Sequence, residues 1–148
     1  MPRMAREQID ERLAQGGLMA ILSVSRVDKG PIAVPLAFLW QEGRFLLMTP
    51  PDSVHGKHMR RTGRATVTIH YERLEGKEAD EWYVTAEGPI EFIDRDAMAL
   101  ARTLLTKDRG PEHAGEWLED MRPALEKNWV AALTPARISG FTFGGRLP

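Results

Sequence analysis

Arg64 to Tyr71, read as RATVTIHY, alternates without a break. Ala65, Val67, Ile69 and Tyr71 fall on one face, and Thr66, Thr68 and His70 on the other. A period of two sends successive side chains to opposite sides of an extended chain, so this segment is a half-buried strand. A strand with one apolar face needs neighbours and a core beneath it, and the rest of the chain supplies them. Leu18 to Ser25 is a short apolar run expected to be a buried strand. Asp28-Lys29-Gly30-Pro31 is turn chemistry, and Ile32 to Trp40 returns as a second strand, which makes a hairpin. Pro35 within it cannot donate to a ladder, so its amide side is expected at an edge, a bulge or a ligand. A turn at Gln41-Glu42-Gly43 leads to a third strand, Arg44 to Thr49, which ends at Pro50-Pro51.

Beyond Tyr71, the acidic stretch Glu72 to Glu81 reads as a loop. Trp82 to Ile93 is a long strand with a bulge or bend at Gly88-Pro89. Trp129 to Leu133 and Arg137 to Phe143 form a last strand broken at Pro135. Helices are added at the margins. A polar one spans Arg3 to Gln15, with Ile9 and Leu13 as a thin apolar stripe, and Gly16-Gly17 stops it. Asp94 caps one from Arg95 to about Lys107, and Pro111 opens another that Pro123 kinks. The 148 residues read as a single domain, 1–148, with a helical insertion at about 95–127. Six strands with helices inserted rather than alternating give a mainly β (α+β) fold, an antiparallel barrel with peripheral helices. A doubly wound dinucleotide fold is disfavoured, since there is no G-x-G-x-x-G and no phosphate loop of the Walker type.

Charge is where function first shows. The chain is nearly neutral, at formal net charge -1, yet Ser53 to Arg64 holds Lys57, Arg60, Arg61 and Arg64 with no acidic residue. As a helix capped by Asp52 or Ser53, it sets these four at i, i+3, i+4 and i+7, broadly one side. Arginine offers a planar fork matched to phosphate, lysine a point charge, and free amides at the helix start add to the pull on an anion. Thr49 and Ser53 stand ready with hydroxyls. A phosphate clamp and a solvated basic face are both open readings of this segment.

Other chemistries find less support. There is no cysteine, which excludes disulfides and thiolate nucleophiles. His55 and His58 share a helical face but lack further ligands at metal spacing, so no metal site is expected. No serine lies in a G-x-S-x-G context. Glu87 beside the bend is the one strand acid of interest, and it reads as an outward-facing residue. A pI near 6.4 argues against a nucleic-acid binder. With no signal-type N-terminus and no apolar run near the ~20 residues of a membrane span, a soluble cytoplasmic protein is expected. An anion clamp, apolar strands, and Trp40, Trp82 and Trp129 at strand ends suit a protein that holds a phosphorylated planar cofactor and leaves the chemistry to it.

In this order the elements resemble the pyridoxamine 5′-phosphate oxidase-like split β-barrel family. The likeness covers about residues 9 to 94, and more weakly 129 to 143. It is carried by LMAILSVSRVDKGPIAVPLAFLWQEGRFLLMT, by the basic segment, by RRTGRATVTIHY and by EWYVTAEGPIEFID. Such a resemblance implies a homodimer binding flavin mononucleotide (FMN), or the deazaflavin F420, in grooves at the subunit interface. It implies a flavin oxidoreductase passing hydride or electrons to a small organic substrate, with a non-catalytic cofactor- or haem-binding module as the alternative.

Carried over residue by residue, the ring would lie against Val34, Pro35 and Leu36. The phosphate would sit on Thr49, Ser53, Lys57 and Arg60, with Arg61 beside them, and Trp82 or Trp129 would lie across the dimer interface. Aligned on Arg60-Arg61, His55 stands where the family usually has lysine and His58 where it has asparagine. Lys57 lies where an arginine often occurs, and Gly63 replaces a common proline. The oxidase's C-terminal Arg/His signature is not complete in Gly144-Gly145-Arg146-Leu147-Pro148, so vitamin B6 oxidation is not expected.

Overall fold

The computed structural model describes residues 2–143 and 145–146. Its strands are β1 (Met19–Arg26), β2 (Lys29–Gln41), β3 (Arg44–Thr49), β4 (Arg64–Glu75), β5 (Glu78–Ile93), β6 (Trp129–Leu133), β7 (Arg137–Thr142) and β8 (Gly145–Arg146). Its helices are α1 (Arg6–Leu13), α2 (Val54–Thr62), α3 (Ala97–Arg109) and α4 (Pro111–Leu125). Every strand pairing is antiparallel. β1 pairs with β2 and β4, β2 with β3, β3 with β6, β6 with β5, and β5 with β4, so six strands close a ring. No helix among the described residues is long and apolar enough to cross a membrane.

β7 and β8 are the additions to the expected six, and Pro135 explains the first. One edge of β5 pairs with β7 over Trp82–Glu87 and with β6 over Ile90–Ile93. The partner changes at Gly88-Pro89, where Thr134 N donates to Pro89 O and Ala136 N to Glu87 O. Pro135 has no amide proton to offer, so the ladder must skip it, and the chain steps from one strand to the next there. A side chain on Gly88 would lie 2.7 Å from Ala136 N, so only glycine admits this approach.

Two other expectations shift. Glu72 to Glu81 is not a loop but the tip of the β4–β5 hairpin, paired through to Glu75↔Glu78. Gly76 supplies the positive φ of the turn, and Arg73–Glu75 forms an ion pair on the exposed tip. Cross-strand pairing of mixed charges lets a polar segment stay extended. Asp96, not Asp94, caps α3, accepting from Met98 N at 2.9 Å.

The ring interior is apolar. Leu22, Val24, Phe45, Leu47, Val67, Ile69, Trp82, Val84 and Leu133 are buried there, with Ile9 and Leu13 of α1 added. The expected alternation of β4 holds: Ala65, Val67 and Ile69 are buried. α3 and α4 do not stand apart. Leu100 and Leu104 pack on Leu39, Leu46, Val130 and Ala132, on the outer face of β2, β3 and β6. α4 then packs on α3 through Ala114 and Leu118. Each buried leucine contributes about 1.5–3 kcal/mol, enough to hold the insertion against the sheet.

Candidate functional site

The end of β3 and the start of α2 form one hydrogen-bonded unit. Ser53 is extended and caps α2, its Oγ accepting from Gly56 N at 3.1 Å. The same hydroxyl donates to Pro50 O at 2.7 Å. Thr49 is fully buried, with Oγ1 2.8 Å from His55 Nε2 and 3.1 Å from Ser53 Oγ. Since the Ser53 proton goes to Pro50, one order gives every contact a proton. His55 Nε2–H donates to Thr49, and Thr49 O–H donates to Ser53. Burial lowers the His55 pKa below its ordinary 6.5, which favours the neutral ring. Gly56 completes the unit. A Cβ there would lie 2.8 Å from Ser53 Oγ and 3.1 Å from Pro50 O, so the absence of a side chain lets α2 seat on the turn.

The four cations do not act together. Lys57 is exposed and forms no ion pair or side-chain hydrogen bond among the described residues. Arg61 bends to the sheet, donating through Nη2 to Ser25 O at 2.7 Å and through Nε to His58 Nδ1 at 3.2 Å. Arg60 lies over the Trp129 ring, its guanidinium carbon 4.0 Å from the ring centroid and 5.9 Å from that of Phe92. Arg64 is not on the helix. Gly63, at φ 63°, takes the left-handed C-cap, and β4 begins with Arg64. That role accounts for glycine where the resemblance has proline, because proline cannot adopt a positive φ.

Val34, Pro35 and Leu36 divide between two faces. Val34 pairs with Leu22 and Leu36 with Ala20, both buried, so their side chains pack on the core. Pro35 pairs with Ile21 and faces outward. Adjacent residues of a strand cannot present one surface, so Pro35 is the one of the three whose side chain is open to a ligand. Trp82 is fully buried within its own chain, stacked on Tyr71 at 5.6 Å, which makes it a core residue rather than an exposed interface residue. Gly144, Leu147 and Pro148, read for the C-terminal signature, lie outside the described residues.

Beside α2 lies a groove of about 450 Å³ that the sequence did not announce. Arg60, Phe92, Asp94, Arg95, Asn128 and Trp129 line it. Pairing of the β5 end with the β6 start, Ile93↔Val130 and Phe92↔Ala131, brings these distant residues together. Trp129 at a strand end was the one signal of it. Phe92 and Arg95 look ordinary in sequence.

Known structures share this fold. An FAD-binding protein from Mesorhizobium loti aligns at TM-score 0.66 and 16% identity, over 98% of this chain and 97% of that one. A protein described as an F420 reductase aligns at 0.65 and 15%, over 86% and 94%. A heme-binding protein from Mycobacterium smegmatis aligns at 0.67 and 16%, over 99% of this chain and 60% of that one. At such identities the likeness carries the fold alone. Among curated proteins none matches. The family model described as pyridoxamine 5′-phosphate oxidase matches residues 5–142, and the chain belongs to that family.

Proposed function

We propose that this protein is a flavin-binding oxidoreductase, with FMN as cofactor and a small organic molecule as substrate. The observation that carries the reading, beside family membership, is the start of α2. A helix whose first turn holds no acidic residue is seated on the Thr49–His55–Ser53 unit, of which Thr49 is fully buried, and Lys57, one turn along, has no ion pair among the described residues. The donor set fits a phosphate monoester. The first amides of α2, at Val54 and His55, have no intrahelical acceptor. Helix ends of this kind attract anions, and Lys57 adds a full charge. Thr49 serves by orienting His55 and Ser53 rather than by touching the ligand, because it is fully buried.

A bound flavin supplies hydride or electron transfer. The chain's part is to hold the phosphate at α2, to offer Pro35 and the exposed edge of β2 to a planar ring, and to limit water. We further propose a homodimer. Met19 and Ile21 on β1 are 50% and 42% exposed, and Ile21 pairs with exposed Pro35, so an apolar strip runs on the outer face. Covering that strip with a second chain would also dry the adjacent ring site.

The test is the visible spectrum of purified protein titrated separately with FMN and with F420. Saturable FMN binding followed by reduction and substrate turnover supports the reading. Saturation by F420 alone moves the assignment to a deazaflavin reductase. Binding of either without any turnover makes the chain a carrier, and binding of neither rejects it.

A further inference from the structure

We infer that the groove between α2 and the start of β6 binds a small planar organic anion, an aromatic carboxylate carrying a hydrogen-bond donor on its far side. Arg60 anchors the site. Its guanidinium is stacked on Trp129 and flanked by Phe92, and among the described residues it has no hydrogen bond or ion pair. A cation held over a ring face is attracted by the ring quadrupole and spends none of its N–H donors on that contact. The ring contact also restrains the exposed side chain, so less rotamer freedom remains to be lost on binding. A held fork with unspent donors, facing a cavity, is matched to a carboxylate.

The rest of the lining sharpens the class. Phe92 and Trp129 meet edge to face at 5.2 Å, giving an aromatic wall for a flat ring. Arg95 stands on the same rim, held by a hydrogen bond from Nη1 to Gln41 Oε1 at 2.8 Å. Asp94 and Asn128 complete it. Two arginines against one carboxylate leave an excess positive charge, and Asp94 accepts a hydrogen bond from the ligand. About 450 Å³ lies within the range of roughly 300–1,000 Å³ common for small-molecule sites. The groove shares no residue with the Thr49–Ser53–His55 unit, so the inference stands whether or not flavin binds there.

The experiment uses the full chain with 4-hydroxybenzoate and its uncharged amide, 4-hydroxybenzamide, as probes. Affinity is read by calorimetry, and the site by the NMR shift of the Trp129 indole. The expected result is at least tenfold tighter binding of the acid, with the shift at Trp129. Arg60→Gln, checked for fold by circular dichroism, should abolish the preference for acid over amide. Arg95→Gln should reduce it and serves as a second variant should the first unfold. No binding of the acid, equal affinities for acid and amide, or a preference unchanged in the folded variants overturns the inference. FMN is titrated into the same samples, so a failed groove and a failed flavin site give different results.

Discussion

The Thr49 hydroxyl lies 2.8 Å from Nε2 of His55, joining the last residue of β3 to the first turn of α2. Thr49 is fully buried, and His55 is half-buried beneath the helix start. The pair fixes where α2 begins relative to the sheet, and with it every basic side chain that follows.

Stability should therefore depend on pH through His55. Its folded pKa is held below 6.5 by burial, so the unfolded chain binds more protons between the folded pKa and about 6.5. Stability from the neutral ring is fully present above that window and falls as pH drops through it. Urea unfolding at pH 7.5 and 5.5 should show wild-type protein losing stability at the lower pH, with His55→Gln losing less. An equal loss in both would assign the effect to other groups.

Glycine to alanine should act with opposite sign at two helical positions. Gly56→Ala puts a Cβ 2.8 Å from Ser53 Oγ and 3.3 Å from Thr49 Oγ1, so the cap or the Thr49 contact must give way. A loss of about 1–3 kcal/mol is expected, typical of overpacking. Gly115→Ala meets nothing within 4 Å and should gain about 0.5–1 kcal/mol from helix propensity. Denaturant midpoints of the two variants check the pair.

Gly88→Ala should be the more damaging change. The added carbon meets the backbone at Thr134 and Ala136, where no rotamer can relieve it. A cost of about 4 kcal/mol or more is expected, in the exceptional range for single substitutions. Thermal melting decides it, and a shift under a few degrees would mean that β5 and β6 can part without loss.

Lys57→Ala should weaken FMN binding by about 1.5–3 kcal/mol, the range for hydrogen bonds to charged groups. Fluorescence titration gives the affinity, and raising salt should narrow the gap between variant and wild type. An unchanged affinity would remove Lys57 from the phosphate site.

Ile21→Glu tests the proposed homodimer. The side chain is 42% exposed, so the isolated chain should fold unchanged. Sedimentation should then show wild-type protein as a dimer and the variant as a monomer. A wild-type monomer at micromolar concentration would reject the assembly.

Much of the fold was legible because it rests on local rules. Alternation in RATVTIHY marked β4, and Pro50-Pro51 ended β3 at Thr49. Ser53 was one of two candidate caps, and it is the one used. The Glu72 to Glu81 stretch was misread because its pairing is cross-strand, with partners such as Arg73↔Asp80 seven residues apart across a turn. For the site, sequence located the basic segment but not its contacts. Arg60 and Arg61 are neighbours, yet one stacks on Trp129 and the other reaches Ser25 O, and both partners belong to remote strands.

Sequence by itself determined most of the strands, the start of α2 and the concentration of charge after it, because backbone period, proline geometry and capping act over a few residues; the hairpin tip at Glu72–Glu81 and the split of β6 from β7 were beyond it. Tertiary structure decided the rest. It set the pairings that close the expected six strands into a ring, turned Val34 and Leu36 inward while leaving Pro35 open, buried Trp82, and drew Arg60, Phe92 and Trp129 into one groove. The physical reason is register. A pairing such as Phe92↔Ala131 is set by how two apolar faces share a core, and no short stretch of either strand contains that information.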